Sequence, residues 1–355
     1  SFLPLSHSYE HTAGQFMPLL TSSQIFYAEN MDKLFTNFKE VNPTYIAAVP
    51  RFYEAIYKKI LNNFSKNKIL EKLFSFNLKL GRKIYLNQKK FLVLTRFFKF
   101  FFKIIFDNKI KKVFGNELKF LISGGGALSY DINLFFESVG IKILQGYGLT
   151  ETSPTVSCNR PEFNKIGTVG PPIKGVKVKI ASDGEILIKG DTLMKGYLGK
   201  EKETKEKIKN NWLYTGDIGK LDRDKHLIIT DRKKDIIVTT GGDNIAPQKI
   251  ESLFATLETT SQILVFGDNK PFLVALIIHK KDKNKNLKDI ENENKKIDTH
   301  IKKINKKLSP TEKIRKIFFA FDNLDQKSGF LTPTMKIKRN KVYEKYKKDI
   351  EKLYN

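Results

Sequence analysis

The sequence contains a single cysteine, Cys158, among its 355 residues. One thiol excludes an internal disulfide, and no cysteine cluster with zinc spacing occurs, so we expect a reducing, cytoplasmic compartment and no structural zinc. Neither a GxGxxG fingerprint nor a Walker lysine loop is present. These two absences argue against Rossmann dinucleotide-binding proteins and P-loop nucleotidases.

Long hydrophobic runs are also lacking, and neither a secretory signal nor a membrane-spanning segment is evident. The best candidate, Phe91–Phe106, is interrupted by Arg96, Lys99 and Lys103. Two interpretations of this segment stay open: a helix that lies on the inner face of a membrane, or part of a buried helical hairpin. We therefore expect a cytoplasmic protein and leave peripheral membrane contact through residues 91–106 as an option.

Acidic residues are scarce relative to basic ones, with 38 Asp and Glu against 64 Lys and Arg and a net charge of +26. Such a charge can attract nucleic acids or anionic membranes. The lysines are nevertheless scattered, and acidic residues are interleaved with them, as in residues 288–303. We expect no nucleic-acid partner. A non-catalytic basic protein that binds nucleotides or membranes is kept as an alternative.

The hydrophobic fraction of 40% is enough for the cores of two domains. From Met31 to about Lys119 the apolar residues recur at helical spacing, which predicts helices throughout this region. The pattern then changes. Residues 118–148 read as strand, glycine turn, helix and strand, which predicts a βαβ unit with two parallel strands.

Short alternating strands follow from about residue 168 to 230 and predict a small β subdomain with a hairpin turn at Asp183 and Gly184. A charged break at 231–235 precedes a hairpin within 261–281 and a helix from about 284 to 308. We predict an α/β protein. Residues 1–231 belong to an incomplete large domain of mixed sheets and helices, and residues 232–355 form a small α+β domain.

Thr150 and Glu151 follow a strand and a glycine turn in the segment GYGLTE. In open α/β sheets ligands bind beyond the carboxyl ends of the strands, where the turns Gly124–Gly126 and Gly146–Gly148 both fall. A hydroxyl beside a carboxylate is typical of a helix cap, and equally of a site where threonine holds a phosphate oxygen and glutamate binds Mg²⁺. The local pattern leaves both interpretations open.

Six short motifs stand in one order along the chain. They are LPLSHSYE at Leu3, SGGGAL at Ser123, GYGLTE at Gly146, YTGD at Tyr214, DRKKDIIVTTGGDNIAPQKIE at Asp231 and LTPTMKIKR at Leu331. Together they resemble the adenylate-forming superfamily, and their wording is similar to that of long-chain acyl-CoA synthetases. The resemblance implies that a long-chain fatty acid is activated with ATP and Mg²⁺ to acyl-AMP and transferred to coenzyme A. An acyl-acyl carrier protein ligase of the same superfamily is the alternative.

The resemblance also implies roles for residues of the large domain. Two glycine turns and an aromatic ring would line the adenine pocket, namely Gly124, Gly125, Gly126, Gly146, Gly148 and Tyr147. Thr150 would hold a phosphate oxygen and Glu151 would bind Mg²⁺. His7 would lie beside the acyl carboxylate, although a lone histidine is more often structural.

Four further positions carry implied roles near the domain boundary. Asp217 would accept hydrogen bonds from both ribose hydroxyls, since an ionised carboxylate only accepts; the alternative is a turn aspartate. Arg232 would contact ribose or phosphate. Lys234 matches the hinge about which the small, mobile lid domain rotates between half-reactions. Gly241 or Gly242 would let the pantetheine arm pass close to the backbone.

Lys336 matches the lysine that reaches into the site during adenylation and stabilises charge on the α-phosphate. The residue before it is Met335, where a glycine is the commonest wording, so Lys338 is a competing candidate.

The glycine-, serine- and threonine-rich phosphate loop that normally precedes LPLSH has no counterpart in these 355 residues. With the chain beginning at Ser1, this indicates the carboxyl-terminal half to two-thirds of an enzyme. We expect the chain as given to fold at least in part and not to ligate acids to coenzyme A.

Overall fold

The computed structural model describes residues 1–86, 100–102, 105–106, 108–257, 262–279, 287–322, 328–332 and 336–355. Most of Phe91–Phe106, for which two interpretations were left open, lies outside these residues. Among the helices within them, none has both the length and the apolarity needed to cross a membrane.

Two compact units make up the chain. The first comprises Ser1–Thr215 and Gly219–Ile229, and the second comprises Gly216–Ile218 and Thr230–Asn355. Each is described by itself. The domain limits drawn from the sequence at residues 231 and 232 stay a prediction.

The first unit contains a four-stranded sheet. Its strands, in spatial order, are β1 (Tyr45–Ala48), β2 (Phe120–Ser123), β3 (Ile143–Gly148) and β4 (Thr155–Cys158). β2 runs parallel to β1 and to β3, whereas β4 is antiparallel to β3. The helix Tyr130–Ser138 connects β2 to β3. This arrangement confirms the predicted βαβ unit.

β1 falls inside the region that was predicted to be helical throughout, so that prediction is wrong at Tyr45–Ala48. The strand is four residues long and lies between Pro43 and Pro50. The first proline ends the preceding helix, because a residue before proline is disfavoured in the helical conformation. Tyr45 pairs with Phe120, and the ladder with β2 supplies the hydrogen bonds that the short segment could not make alone.

The first unit also contains helices. In the first unit they span Ser8–Glu10, Met17–Leu20, Leu34–Val41, Pro50–Ser65, Lys68–Leu86, Asn108–Lys111, Tyr130–Ser138 and Glu201–Lys207, with a π-helical turn at His11–Phe16 and a 3₁₀ turn at Thr150–Thr152. Pro50 opens its helix at the first turn, where its missing N–H costs nothing. Tyr53, Ile56 and Ile60 of that helix are buried at three- and four-residue spacing, which makes one face of it part of the core.

Short strands lie in the region that was predicted to form a β subdomain. Its strands are β5 (Val176–Ile180), β6 (Glu185–Gly190), β7 (Ile208–Lys209), β8 (Trp212–Leu221) and β9 (Leu227–Arg232). β5 and β6 are antiparallel, and the backbone N–H of Glu185 donates to Asp183 Oδ1 at 3.1 Å in the turn between them. The hairpin predicted at Asp183 and Gly184 is therefore confirmed. Ile186, Ile188 and Leu227 form the centre of its apolar core.

The second unit contains a three-stranded sheet and a short hairpin. The hairpin consists of β10 (Ile237–Val238) and β11 (Asn244–Ile245), and the sheet has the order β12 (Gln262–Phe266), β13 (Leu273–His279) and β14 (Ile314–Phe321). The helices of this unit span Pro247–Ser252, Leu287–Asn305 and Arg339–Lys352, and a 3₁₀ turn spans Lys233–Asp235. β12 and β13 are antiparallel, which confirms the predicted hairpin, and the predicted helix at 284–308 is observed at Leu287–Asn305. The sequence reading did not predict β14 or the last helix.

Every residue of β13 is buried, because helices cover both faces of this sheet. Residues with odd numbers, such as Ala275 and Ile277, pack with the helix Leu287–Asn305. Residues with even numbers, such as Leu276, pack with the helix Arg339–Lys352. A strand alternates its side chains between faces, so β13 serves two separate cores.

An ion pair joins three elements of the second unit. Arg339 Nη2 donates to both carboxylate oxygens of Glu251 at 2.7 Å, and Arg339 Nη1 donates to the carbonyl of Val265 at 2.8 Å. The N–H of Val265 donates to Glu251 Oε1 at 2.6 Å. The side chains of Arg339 and Glu251 are only 19% and 12% exposed. This bidentate pair ties the helix Pro247–Ser252 to β12 and to the start of the last helix.

Candidate functional site

Residues 7–10 lie at the carboxyl ends of β1 and β2. The hydroxyl of Tyr9 points to the carbonyl oxygens of Ala48 and Ile122, at 3.3 and 3.2 Å. The ring of Tyr9 also fills the space beside Gly124, where a Cβ atom would come within 2.7 Å of Tyr9 Cε2. Gly124 is thus required by packing, and Tyr9 anchors the LPLSHSYE segment at the edge where ligands of such sheets bind.

His7 begins the helix Ser8–Glu10. Its Nδ1 atom accepts a hydrogen bond from the N–H of Tyr9 at 3.2 Å, which is the geometry of a helix cap. Ser8 Oγ lies 3.2 Å from Thr150 Oγ1, 142 residues away in sequence. The structure therefore brings the first and third motifs together. The cap gives His7 a structural role, and its placement beside an acyl carboxylate stays a prediction.

The turn after β3 depends on a glycine. A Cβ atom on Gly148 would lie 1.6 Å from the carbonyl oxygen of Pro154, so no other residue fits there without moving the backbone. Thr152 Oγ1 accepts from the N–H of Leu149 at 3.0 Å and lies 2.7 Å from the carbonyl oxygen of Pro154. These contacts fix a 3₁₀ turn over Thr150–Thr152.

The cap of this turn is made by Thr152, not by Thr150 or Glu151. The helix-cap interpretation of the Thr150 and Glu151 pair is therefore wrong. Thr150 is exposed and Glu151 is half-buried, so both side chains lie where a ligand can reach them.

Glu151 is held at two points. Its Oε1 atom accepts a hydrogen bond from the hydroxyl of Tyr197 at 2.8 Å, and its backbone carbonyl accepts from the N–H of Met194 at 2.9 Å. Burial, together with the hydrogen bond to Glu151 and its charge, raises the pKa of Tyr197 to about 12, so this hydroxyl stays a donor at neutral pH. An ionised carboxylate offers about four acceptor positions, and Mg²⁺ prefers hard oxygen ligands. The carboxylate of Glu151 is therefore of a type that can bind Mg²⁺ while it accepts from Tyr197.

The other predicted adenine-pocket residues follow β2 or lie in β3. Gly125 and Gly126 come directly after β2, and Gly146 and Tyr147 belong to β3 itself. The side chain of Tyr147 is half-buried and packs against the core of the β subdomain. Its stacking on adenine stays a prediction.

In the second unit, Asp217 is 4% exposed and lies within β8. The alternative that it is a turn aspartate is therefore wrong. Arg232 Nε lies 3.0 Å from Asp217 Oδ1, and Arg232 itself is half-exposed at the end of β9. Asp217 and Arg232, which were both expected at the ribose, thus form a direct ion pair, and Arg232 holds the carboxylate of Asp217 in place.

Lys336 lies in the same unit, next to Ile337, which forms an antiparallel bridge with Leu331. Its N–H donates to Thr332 Oγ1 at 3.0 Å. Desolvation lowers the pKa of Lys336, Arg232 lowers it further and Asp217 opposes the change. The Arg232 and Asp217 charges therefore influence Lys336. The choice between Lys336 and Lys338 stays a prediction.

Lys234 is exposed in the 3₁₀ turn Lys233–Asp235. Gly242 turns the chain between β10 and β11 at φ +81°, and its N–H donates to the carbonyl of Thr239 at 2.9 Å. This left-handed conformation favours glycine. At Gly241 an added Cβ would meet only ordinary contacts, the nearest at 3.5 Å. The hinge and pantetheine roles of these residues stay predictions.

Two comparisons with protein families cover most of the chain. A family described as AMP-binding enzyme matches residues 1–198, and its C-terminal domain matches residues 234–355. The chain belongs to the AMP-binding enzyme family. Its curated relatives include the long-chain-fatty-acid–CoA ligase FadD15 of Mycobacterium bovis, 32% identical over 379 residues, with 100% of this chain and 62% of that protein covered.

A second relative of this chain is the chloroplastic long-chain-fatty-acid–[acyl-carrier-protein] ligase AEE15 of Arabidopsis thaliana, 28% identical, with 100% of this chain and 55% of that protein covered. Among solved structures, the A domain of a carboxylic acid reductase from Segniliparus rugosus, in complex with AMP and a co-purified carboxylic acid, matches with a TM-score of 0.75 at 22% identity, covering 100% of this chain and 54% of that one. The predicted α/β fold is confirmed. The chain spans less than two thirds of these curated relatives.

Sequence reasoning missed Tyr9 and Tyr197, although both contact predicted site residues. Tyr9 stands within the quoted motif LPLSHSYE, so its motif was the available signal. Tyr197 follows a glycine in a loop of the β subdomain, and its link to Glu151 spans 46 residues. No local pattern indicates that link.

Proposed function

We propose that the protein is an AMP-forming long-chain fatty acid:CoA ligase. The observation that carries this proposal is the contact between the hydroxyls of Ser8 and Thr150, which joins two of the motifs. Glu151 follows Thr150, and its side chain does not cap the 3₁₀ turn. An exposed hydroxyl and an anchored carboxylate at the carboxyl ends of parallel strands suit a phosphate and divalent cation. The relative FadD15 is named as a long-chain-fatty-acid–CoA ligase, which supports a long-chain fatty acid as the substrate and coenzyme A as the acceptor.

In this proposal each residue has a defined task. Thr150 donates its hydroxyl to a phosphate oxygen, and Glu151 supplies a hard oxygen ligand to Mg²⁺, which when bound neutralises part of the triphosphate charge. In the second unit, Asp217 accepts hydrogen bonds from the ribose, and Lys336 stabilises charge as the fatty acid carboxylate attacks the α-phosphorus and pyrophosphate leaves. The thiol of coenzyme A then displaces AMP from the acyl carbon.

The acceptor has one alternative. The relative AEE15 is named as an acyl-carrier-protein ligase, so the same acyl-adenylate could pass to the thiol of a carrier protein. Supplying coenzyme A and acyl carrier protein separately to the complete gene product separates the two. Thioester formation only on the carrier protein would replace our proposal with the alternative.

The central test is a charge-removing substitution, Glu151→Gln, in the complete gene product. ATP–pyrophosphate exchange with fatty acids of rising length should fall by about 10²-fold, the scale seen when a positioned electrostatic group is lost. Glu162→Gln removes the same charge from an exposed position and should leave exchange unchanged. Equal exchange by wild type and Glu151→Gln at limiting Mg²⁺ would contradict the assignment.

We also propose that the protein contacts an anionic membrane surface peripherally from the cytoplasm, through residues 91–106 and through an apolar edge of the helix Lys68–Leu86. Along the helix Lys68–Leu86, Ile69, Leu73 and Phe76 are exposed at spacings of four and three residues, so they share one edge. Exposed basic residues follow the same helix, namely Lys72, Lys79 and Lys83. An apolar edge with lysines is complementary to anionic lipid headgroups over acyl chains.

Vesicle co-sedimentation tests this contact. Binding to vesicles containing phosphatidylglycerol should exceed binding to phosphatidylcholine alone, and the triple variant Ile69→Ser, Leu73→Ser, Phe76→Ser should lower it by roughly 10-fold or more. Phe163→Ser, which replaces an exposed phenylalanine elsewhere in the first unit, is the matched control. Equal losses in both variants, or no preference for anionic lipid, would refute the proposal.

A further inference from the structure

The loop that follows β6 is fastened to the helix Glu201–Lys207. The N–H of Tyr197 donates to Thr204 Oγ1 at 2.9 Å, and the hydroxyl of Thr204 donates to the carbonyl of Lys200 at 2.8 Å. Gly196 approaches the same threonine so closely that a Cβ atom would lie 2.8 Å from Thr204 Cγ2. Thr204 therefore fixes the backbone on both sides of Tyr197.

This fastened loop contacts Glu151 twice. Met194 binds its backbone carbonyl and Tyr197 binds its carboxylate, so both the main chain and the side chain of Glu151 are held by one segment. A glutamate side chain loses rotamer entropy when it is ordered. If that ordering precedes ligand binding, the cation does not have to supply it.

We propose that Tyr197 is a positioning residue for the Glu151 carboxylate, with Thr204 as the support that fixes Tyr197. The hydroxyl of Tyr197 uses one lone pair of Glu151 Oε1, and the other lone pairs of the carboxylate remain able to bind a divalent cation. This inference rests on the proposed function, because it takes Glu151 as the Mg²⁺ ligand. Hydrogen bonds to a metal ligand from its surroundings commonly change metal affinity by about 10- to 100-fold.

The test compares Tyr197→Phe with wild type in the complete gene product. The Mg²⁺ concentration for half-maximal ATP–pyrophosphate exchange should rise about 10-fold, while the rate at saturating Mg²⁺ and the KM for the fatty acid stay close to wild type. The second readout needs no turnover: the Kd for Mn²⁺ with a non-hydrolysable ATP analogue, measured by electron paramagnetic resonance, should rise by the same factor. Tyr130→Phe, which changes an exposed tyrosine in the helix Tyr130–Ser138, is the control.

Thr204→Val provides an independent variant if Tyr197→Phe fails to fold. It removes the support and leaves the Tyr197 hydroxyl, so the shift in Mg²⁺ dependence should have the same direction and a smaller size. Combined with Tyr197→Phe it should add nothing, because both changes act through one hydrogen bond. Additive shifts in the double variant would contradict the coupling.

The outcomes separate the two levels of the argument. If Glu151→Gln leaves exchange intact, the proposed function fails. If Glu151→Gln is impaired while Tyr197→Phe shifts neither the Mg²⁺ requirement nor the Mn²⁺ affinity, only the positioning role is overturned. A loss of activity in Tyr197→Phe that is equal at every Mg²⁺ concentration also overturns it, because that pattern belongs to a residue that merely supports the fold.

Discussion

Replacement of Lys336 by alanine should lower acyl-adenylate formation by about 10²- to 10³-fold and leave thioester formation from supplied acyl-adenylate near the wild-type rate. In the proposed reaction the lysine charge is needed only while negative charge develops around the α-phosphate. In the second unit the charges of Arg232 and Asp217 act on the pKa of Lys336, which Arg232 lowers and Asp217 raises. Pyrophosphate exchange and thioester formation, measured separately, report the two half-reactions.

Lys338→Ala is the matched control, because it removes the same side chain two residues further along. Lys338 is exposed, and its backbone N–H is already bonded to the carbonyl of Phe330. Lys234→Pro should show the reverse pattern, with thioester formation impaired, because proline stiffens the proposed hinge. A larger defect in Lys338→Ala than in Lys336→Ala would show that the register is shifted. Equal loss of both half-reactions in Lys336→Ala and Lys234→Pro would refute rotation between two arrangements.

Arg339→Ala should lower the free energy of unfolding of the second unit by about 3 kcal/mol, because it leaves the Glu251 carboxylate largely buried without its cation. It also removes the hydrogen bond to the carbonyl of Val265. Urea denaturation gives the total effect. Hydrogen exchange should localise the loss to β12 and the helix Pro247–Ser252, which the arginine holds together.

Lys352→Ala is the control for this experiment. Lys352 lies 3.8 Å from Asp349 on the last helix, with side chains 77% and 40% exposed, and such pairs contribute at most about 0.5 kcal/mol. The double variant Glu251→Leu, Arg339→Leu should recover part of the stability, since no unpaired charge remains. If the double variant is less stable than Arg339→Ala, the cost does not come from an unpaired carboxylate.

Local signals in the sequence predicted the elements that they directly encode. The βαβ unit, the hairpin at Asp183 and Gly184 and the hairpin of β12 and β13 were all found. β1 was missed because four residues carry little periodicity. Its stability comes from pairing with β2, which is distant in sequence: Tyr45 lies opposite Phe120, 75 positions further along the chain. Such a pairing depends on tertiary contacts and not on propensity.

The candidate site shows the same division. The motifs predict Thr150, Glu151, Asp217 and Lys336 as site residues, and these roles stay predictions. Spacing alone could not decide which hydroxyl after Gly148 makes the cap. The atomic contacts assign it to Thr152. Tyr197 could not be predicted, because its contact with Glu151 depends on how the β subdomain folds back on the turn after β3.

The two cores on either side of β13 have a consequence for the divergence of related chains. Exchanges at even-numbered positions of this strand should covary with Val342, Tyr346 and Ile350 of the last helix. Exchanges at odd-numbered positions should covary with residues of the helix Leu287–Asn305. Adjacent residues of the strand would then vary independently of each other, while residues two apart would vary together. Whether a position of β13 is odd- or even-numbered thus indicates which helix it faces.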